Sequence, residues 1–188
     1  MLEIIKSEIN LHNQVSSAMG VLSHSIELIA KLAIDTIESN GKIIIFGNGG
    51  SAADAQHIAA ELIGRYKTNR YGLPAIALTT DTSALTAIGN DFGYENIFKR
   101  QLEALLNNND LIIGISTSGS SSNVLKALEY ANKNNAKVVG FSGCQGGEMS
   151  SVCDINLVIP SNDTPRIQEM HILAGHIICH LIDLHFSN

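Results

Sequence analysis

The chain has 188 residues, 45% hydrophobic and only 16% charged. That is the size of one domain with a sizeable core, and it leaves apolar surface to bury in that core or against copies of the chain. The formal net charge of −6 speaks against non-specific nucleic-acid binding, which needs a positive face.

The first 39 or so residues read as helix. Leu2, Ile5 and Ile9 recur at helical spacing, as do Val15, Met19, Leu22, Ile26 and Ile29. Gly20 divides the run in two, and Asn40-Gly41 stops it. The opening MLEIIKSEINLHN carries acids early and has no basic start before an apolar block, unlike a signal peptide. The apolar stripe of this extension, residues 1–40, can pack against other subunits or on its own sheet.

Strand and helix then alternate. Strands are expected at Lys42–Phe46, Ala75–Leu78, Leu111–Ile115, Lys137–Phe141 and Ile155–Ile159. All are apolar on both faces, as in a covered parallel sheet. Helices are expected at about 52–64, 83–89, 94–107, 121–134 and 166–186. This order predicts an α/β fold, a doubly wound three-layer αβα sandwich with a five-stranded parallel sheet plus N-terminal helices, all in a single domain spanning 1–188. Cys144, Cys153 and Cys179 make an odd count without C-x-x-C spacing, which reads as reduced structural thiols in a cytoplasmic protein. The most apolar long segment, Ile167–Phe186, is interrupted by Gln168, Glu169, His171, His176, His180 and Asp183, and no stretch reads as a membrane span.

Ligands of such folds bind at the carboxyl ends of the strands. The first of these ends, FGNGGSAADAQH (46–57), contains the G-x-G-x-x-A spacing of a dinucleotide loop. The acid due about 20 residues later is missing, replaced by the basic RYKTNRYGLP, so the dinucleotide reading fails on its context. The third end, GISTSGSSSN (114–123), offers five serines, a threonine and a helix N-terminus. Hydroxyls, N–H groups and the helix dipole make an anion site that suits a phosphate monoester; a serine-rich cap without ligand is the plain alternative.

His57 and Glu61 stand at i and i+4 on the helix leaving the first loop. Gln168 and His176 lie two turns apart on the last helix, within about 80° of one another. The four could converge on a divalent metal such as Zn²⁺. His171 and His180 are rival members, and a histidine in such a place is most often a hydrogen-bonded core or interface residue. A glutamate base and an imidazole acid flanking a sugar C1–C2 unit are also the equipment of aldose–ketose isomerisation.

GNGGSAADAQHIAAELIGRY, AIGNDFG, GISTSGSSSNV and RIQEMHILAGH together resemble the bacterial phosphoheptose isomerases, which are sugar isomerase (SIS) domain proteins, from about Gly41 to the C-terminus. The resemblance implies conversion of sedoheptulose 7-phosphate to D-glycero-D-manno-heptose 7-phosphate through an enediolate, the opening of nucleotide-activated heptose synthesis for lipopolysaccharide core or capsule. It implies a cytoplasmic homotetramer with one Zn²⁺ per subunit, no nucleic-acid partner and no membrane. By the same resemblance, the metal ligands are His57, Glu61, Gln168 and His176, with Glu61 the base and His176 the acid. The substrate contacts are Asn48, Gly49, Gly50, Ser51, Glu61, Asn90, Asp91, Ser116, Thr117, Ser118, Ser121 and Gln168. A metal-bound Glu61 is a poorer base, so either the ligands exchange during turnover or the roles are alternatives.

Some family members carry an acid directly before R-I-Q, where this chain has Pro165 with Asp163 two residues earlier. Arg65 and Arg166 are possible aids to phosphate or substrate. The rival reading is a non-catalytic SIS tetramer that binds a replication initiator protein and shares AIALTTDTSALTAI in part. His176 and the GNDFG segment favour the isomerase. A SIS-type transcriptional sensor would need a basic DNA-binding domain, which residues 1–40, with Lys6 and Lys31 as their bases, do not supply. An isomerase of another sugar phosphate keeps the same chemistry.

Overall fold

A computed structural model describes residues 1–187. Five strands form one parallel sheet: β1 (Ile43–Gly47), β2 (Ala75–Ala77), β3 (Leu111–Ile115), β4 (Lys137–Ser142) and β5 (Ile155–Val158), in the order β2-β1-β3-β4-β5. Ile43 is in register with both Ala75 and Leu111. The helices are α1 (Leu2–Ala18), α2 (Ser23–Glu38), α3 (Gly50–Ile63), α4 (Thr82–Phe92), α5 (Lys99–Leu105), α6 (Ser122–Lys133), α7 (Met149–Val152) and α8 (Thr164–Phe186).

Successive side chains of a strand point to opposite faces, and here each face has its own core. Ile43, Ile45, Leu111, Ile113, Ile115, Val139 and Phe141 join α2, α3 and α8 on one side. Ile44, Phe46, Ile112 and Val138 join α5 and α6 on the other. The three-layer αβα sandwich is as expected. α2 buries Ile26, Ile29, Ala30, Ala33 and Ile37, one helical stripe.

Several boundaries differ from the expected ones. A 3-10 turn over Met19–Leu22 separates α1 from α2 at Gly20, as expected. The helix expected at 83–89 runs on to Phe92 and stops at Gly93, whose φ of +87° suits glycine. The helix expected at 94–107 is instead a 3-10 turn (Tyr94–Asn96) followed by α5, because Ile97 and Phe98 turn into the core between them. The short α7 was not foreseen.

One expectation is corrected. Taken as one run, Leu2–Glu38 is long and apolar enough to cross a membrane by length and composition. α2 packs its apolar stripe on the core, whereas none of the described residues of α1 is buried.

Candidate active site

The sheet order decides where a ligand can enter. β2 and β3 lie on opposite sides of β1, and α3 and α6, which follow β1 and β3, leave to opposite faces. The two connections therefore part at the carboxyl ends of β1 and β3, and a crevice opens between them.

One wall is the turn from β1 into α3. Gly49 has φ +56° and ψ −120°, a conformation open to glycine, and α3 starts at the next residue. Ser51 is buried in its first turn. Gln168 of α8 lies over this turn: a Cβ on Gly50 would come 2.4 Å from Gln168 Nε2.

The other wall runs from Ser116 to Ser121. Ser116 Oγ is 2.9 Å from Ser121 Oγ and 3.4 Å from Ser118 Oγ. Ser121 is the N-cap of α6, yet its hydroxyl makes no cap bond and faces Ser116 instead. Thr117 O accepts from Gly143 N at 3.0 Å. The loop is held tight at Gly119, whose φ is +69° and where a Cβ would lie 2.1 Å from Gly146 O. Clustered hydroxyls at the start of a 12-residue helix provide for an anion.

A reciprocal amide pair joins the walls. Asn48 Nδ2 donates to Asn123 Oδ1 at 2.9 Å, and Asn123 Nδ2 donates to Asn48 Oδ1 at 2.8 Å. The Tyr94 hydroxyl donates to the same Asn48 Oδ1 at 3.0 Å. Among the described residues, Asn48 Oδ1 thus has both lone pairs engaged, and Asn48 Nδ2 has one hydrogen left over. Asn90 and Asp91 sit exposed in the last turn of α4 and bond each other, Asn90 Nδ2 to Asp91 Oδ1 at 2.7 Å.

The titratable centre is built from α3 and α8. His57 Nε2 lies 3.2 Å from Glu61 Oε1 and 2.9 Å from His176 Nε2. One ligand atom from each of His57, Glu61 and His176 falls within 4.8 Å of the others, the one such His/Cys/Asp/Glu group among the described residues. Two imidazole nitrogens and a carboxylate oxygen at this spacing are a donor set that fits Zn²⁺. One turn before His57, Asp54 keeps a buried Oδ2 with no hydrogen-bond partner. Burial pushes its carboxyl up to about 6, against the pull of His57.

With this geometry in hand, the comparisons are specific. The SIS domain family matches residues 10–143. A phosphoheptose isomerase of Aliarcobacter butzleri is 56% identical over 185 residues, covering 98% of both chains. The solved structure of the Neisseria gonorrhoeae phosphoheptose isomerase superposes with a TM-score of 0.92 at 41% identity, covering 97% of this chain and 98% of that one. That of Francisella tularensis gives 0.94 at 37%, with the same coverage. The chain belongs to the phosphoheptose isomerases.

In this structure the two rival histidines fall outside the triad. His171 is fully buried, with Nε2 3.0 Å from Ser142 O. His180 packs beside Tyr66. Arg166 is buried away from the crevice, donating to Glu8 O (2.7 Å), Glu8 Oε2 (3.1 Å) and Glu169 Oε1 (2.7 Å), which ties α1 to α8. Arg65 is exposed, as are Asp163 and Pro165. None of the three cysteines is in a disulfide. Burial pushes the thiols of Cys153 and Cys179 up to about 12, so both stay protonated at neutral pH. Sequence reasoning missed Asp54, Tyr66, Tyr94 and Asn123. Asn123 closes the serine loop, but nothing local marks it as the partner of Asn48; Tyr66 follows the end of α3, and Tyr94 opens the 3-10 turn after α4.

Proposed function

We propose that this phosphoheptose isomerase converts sedoheptulose 7-phosphate to D-glycero-D-manno-heptose 7-phosphate. The observation that carries the reading is the meeting of His57, Glu61 and His176 on α3 and α8, with a serine-rich loop at the end of the neighbouring strand β3. Ser116, Thr117, Ser118 and Ser121 hold the phosphate, together with the first N–H groups of α6. Asn48, with its one remaining amide hydrogen, donates to a substrate oxygen, and Gly49, Gly50, Ser51, Gln168, Asn90 and Asp91 line the path of the sugar chain.

The Glu61 carboxylate takes the proton from C1, alpha to the ketose carbonyl. The electron pair left behind forms the C1–C2 double bond of an enediolate, and His176 supplies the proton that O2 needs. Return of the carbon-bound proton to C2, with loss of the O1 proton, gives the aldose. His57, Glu61, Gln168 and His176 would hold a Zn²⁺, whose charge, when bound, stabilises negative oxygen on the substrate. Ligation competes with the base role of Glu61, so the two uses alternate or the ligand set changes during turnover.

Exposed Leu2, Ile4, Ile5 and Ile9 on α1, with Ile177 and Leu181 on α8, form the apolar surface of a homotetramer to which residues 1–40 contribute. The product feeds nucleotide-activated heptose synthesis in the cytoplasm. Binding of a replication initiator is the lesser reading, since His176 completes a catalytic group.

NMR or a coupled assay with sedoheptulose 7-phosphate tests the reading. Wild type forms the aldose phosphate, while Glu61→Gln and His176→Gln lose at least about a hundredfold, the worth of one acid or base. Chelation lowers turnover and Zn²⁺ restores it. No turnover by metal-loaded wild type at high enzyme concentration would remove the function.

A further inference from the structure

The mechanism leaves the α3–β2 connection unused, yet this segment is held more firmly than a spacer needs. Asp183 of α8 accepts from Lys67 N (3.0 Å), Thr68 N (2.7 Å), Thr68 Oγ1 (2.5 Å) and Arg70 Nε (2.8 Å). Arg70 also donates to Glu61 O (3.0 Å), Leu62 O (2.8 Å) and Tyr71 O (2.9 Å). The Arg70 and Asp183 side chains are fully buried. The connection is thereby fastened to the carbonyl end of α3 and to the face of α8 that carries His176, His180 and Asp183, spaced four and three residues apart.

Tyr66 is the side chain this fastening delivers. Its ring stacks on His176, centroids 5.6 Å apart and planes 25° apart, and leans on His180 at 5.9 Å. The edge of His57 meets His176 at 5.0 Å. Among the described residues the His176 ring makes one hydrogen bond, through Nε2 to His57. A catalytic or metal-binding imidazole is usually oriented by an acceptor on its second nitrogen. Here none of the described side chains or carbonyls provides one, so ring packing must set the plane.

We propose that Tyr66 is the positioning residue of His176. Its aromatic face fixes the imidazole plane so that Nε2 stays directed at His57 and Glu61, and the Asp183–Arg70 anchor acts on the reaction through it. The inference rests on His176 serving as acid and ligand. Tyr66 works as a ring; no hydrogen bond from its hydroxyl enters the argument.

The test compares Tyr66→Leu, which keeps apolar bulk without a plane, with Tyr66→Phe, which keeps the plane. Outer partners of metal ligands typically carry 10- to 100-fold in affinity or activity. Tyr66→Leu is expected to lower kcat about tenfold or more with KM within about threefold, and to weaken Co²⁺ binding, read from its visible absorption, by a similar factor. Tyr66→Phe restores both. The His176 imidazole resonances shift and broaden in Tyr66→Leu and not in Tyr66→Phe. Wild-type kcat and Co²⁺ affinity in folded Tyr66→Leu overturn the proposal, as does equal loss in Tyr66→Phe. Should the wild type turn over no heptulose phosphate, the isomerase reading falls, while Co²⁺ affinity and the imidazole resonances still decide for or against Tyr66. Should Tyr66→Leu not fold, Tyr66→Met is read in its place.

Discussion

His171 shows what happens to a histidine on the core side of α8. Burial lowers its basicity to about 4, only partly offset by the hydrogen bond to Ser142 O. The unfolded chain takes up that proton near pH 6.5 and the folded one near 4. Neutral His171 therefore contributes no pH-linked penalty above 6.5, and stability falls as pH drops from 6.5 to 4, by about 3 kcal/mol in total. Asp54 works the other way. Its raised carboxyl takes a proton near 6, so stability rises as pH falls through that range. Urea denaturation at pH 7 and 4.5 should show a shallower acid loss in His171→Asn than in wild type, with Asp54 unchanged in both. Which histidine meets His57 was not decidable from spacing, because His171, His176 and His180 all recur on one helix; only the fold brings His176 to it, a contact that spans 119 residues. Asn48 was legible from its loop. Its partners Asn123 and Tyr94 were not, since nothing local marks which side chains meet across a crevice.

At the scale of the element, α8 does three things along 23 residues. Arg166 receives α1, Gln168 and His176 face the crevice, and Asp183 receives the α3–β2 connection. Four hydrogen bonds bring the Asp183 carboxyl down to about 2, although burial alone would raise it. Removing the charge in Asp183→Asn leaves buried Arg70 unpaired. The expected cost is about 3–5 kcal/mol, a fall in Tm on the order of 10 °C for a domain of this size, read by thermal denaturation. A change within 2 °C would mean that the anchor adds little. Strands and long helices were legible because their apolar periods are strong. The end of α4 was not: the helix was expected to end at 89, but it runs on to Phe92 and stops at Gly93, where φ is positive. Asn90 and Asp91 consequently stand on a helix rather than in a loop.

For the whole molecule, the class of the fold followed from alternation of elements, but strand order did not. β1 pairs with β2 on one side and β3 on the other through backbone bonds that no local pattern encodes. The apolar surface of α1 is likewise read correctly only in three dimensions. Among its described residues none is buried, with Ile5 and Ile9 each 55% exposed. In the homotetramer proposed above these side chains would be covered. Sedimentation of Ile5→Glu/Ile9→Glu should show smaller species than wild type at equal concentration; an unchanged coefficient would remove α1 from the interface.

The parting of α3 and α6 to opposite faces has a consequence for how this enzyme can vary. The side chains proposed to move protons hang from the layer of α3 and α8, and the hydroxyls proposed to hold phosphate stand at the start of α6, in the other layer. Both face the carboxyl ends of β1 and β3, but each is supported by the core on its own side of the sheet. Loosening Ile58, which packs against Gly175 next to His176, should disturb turnover and spare affinity for the phosphate, whereas loosening Leu128, which packs against Gly114 of β3, should do the reverse. Grip and chemistry can thus drift separately, so a new sugar chain could be accommodated by retuning one layer while the other keeps its inheritance.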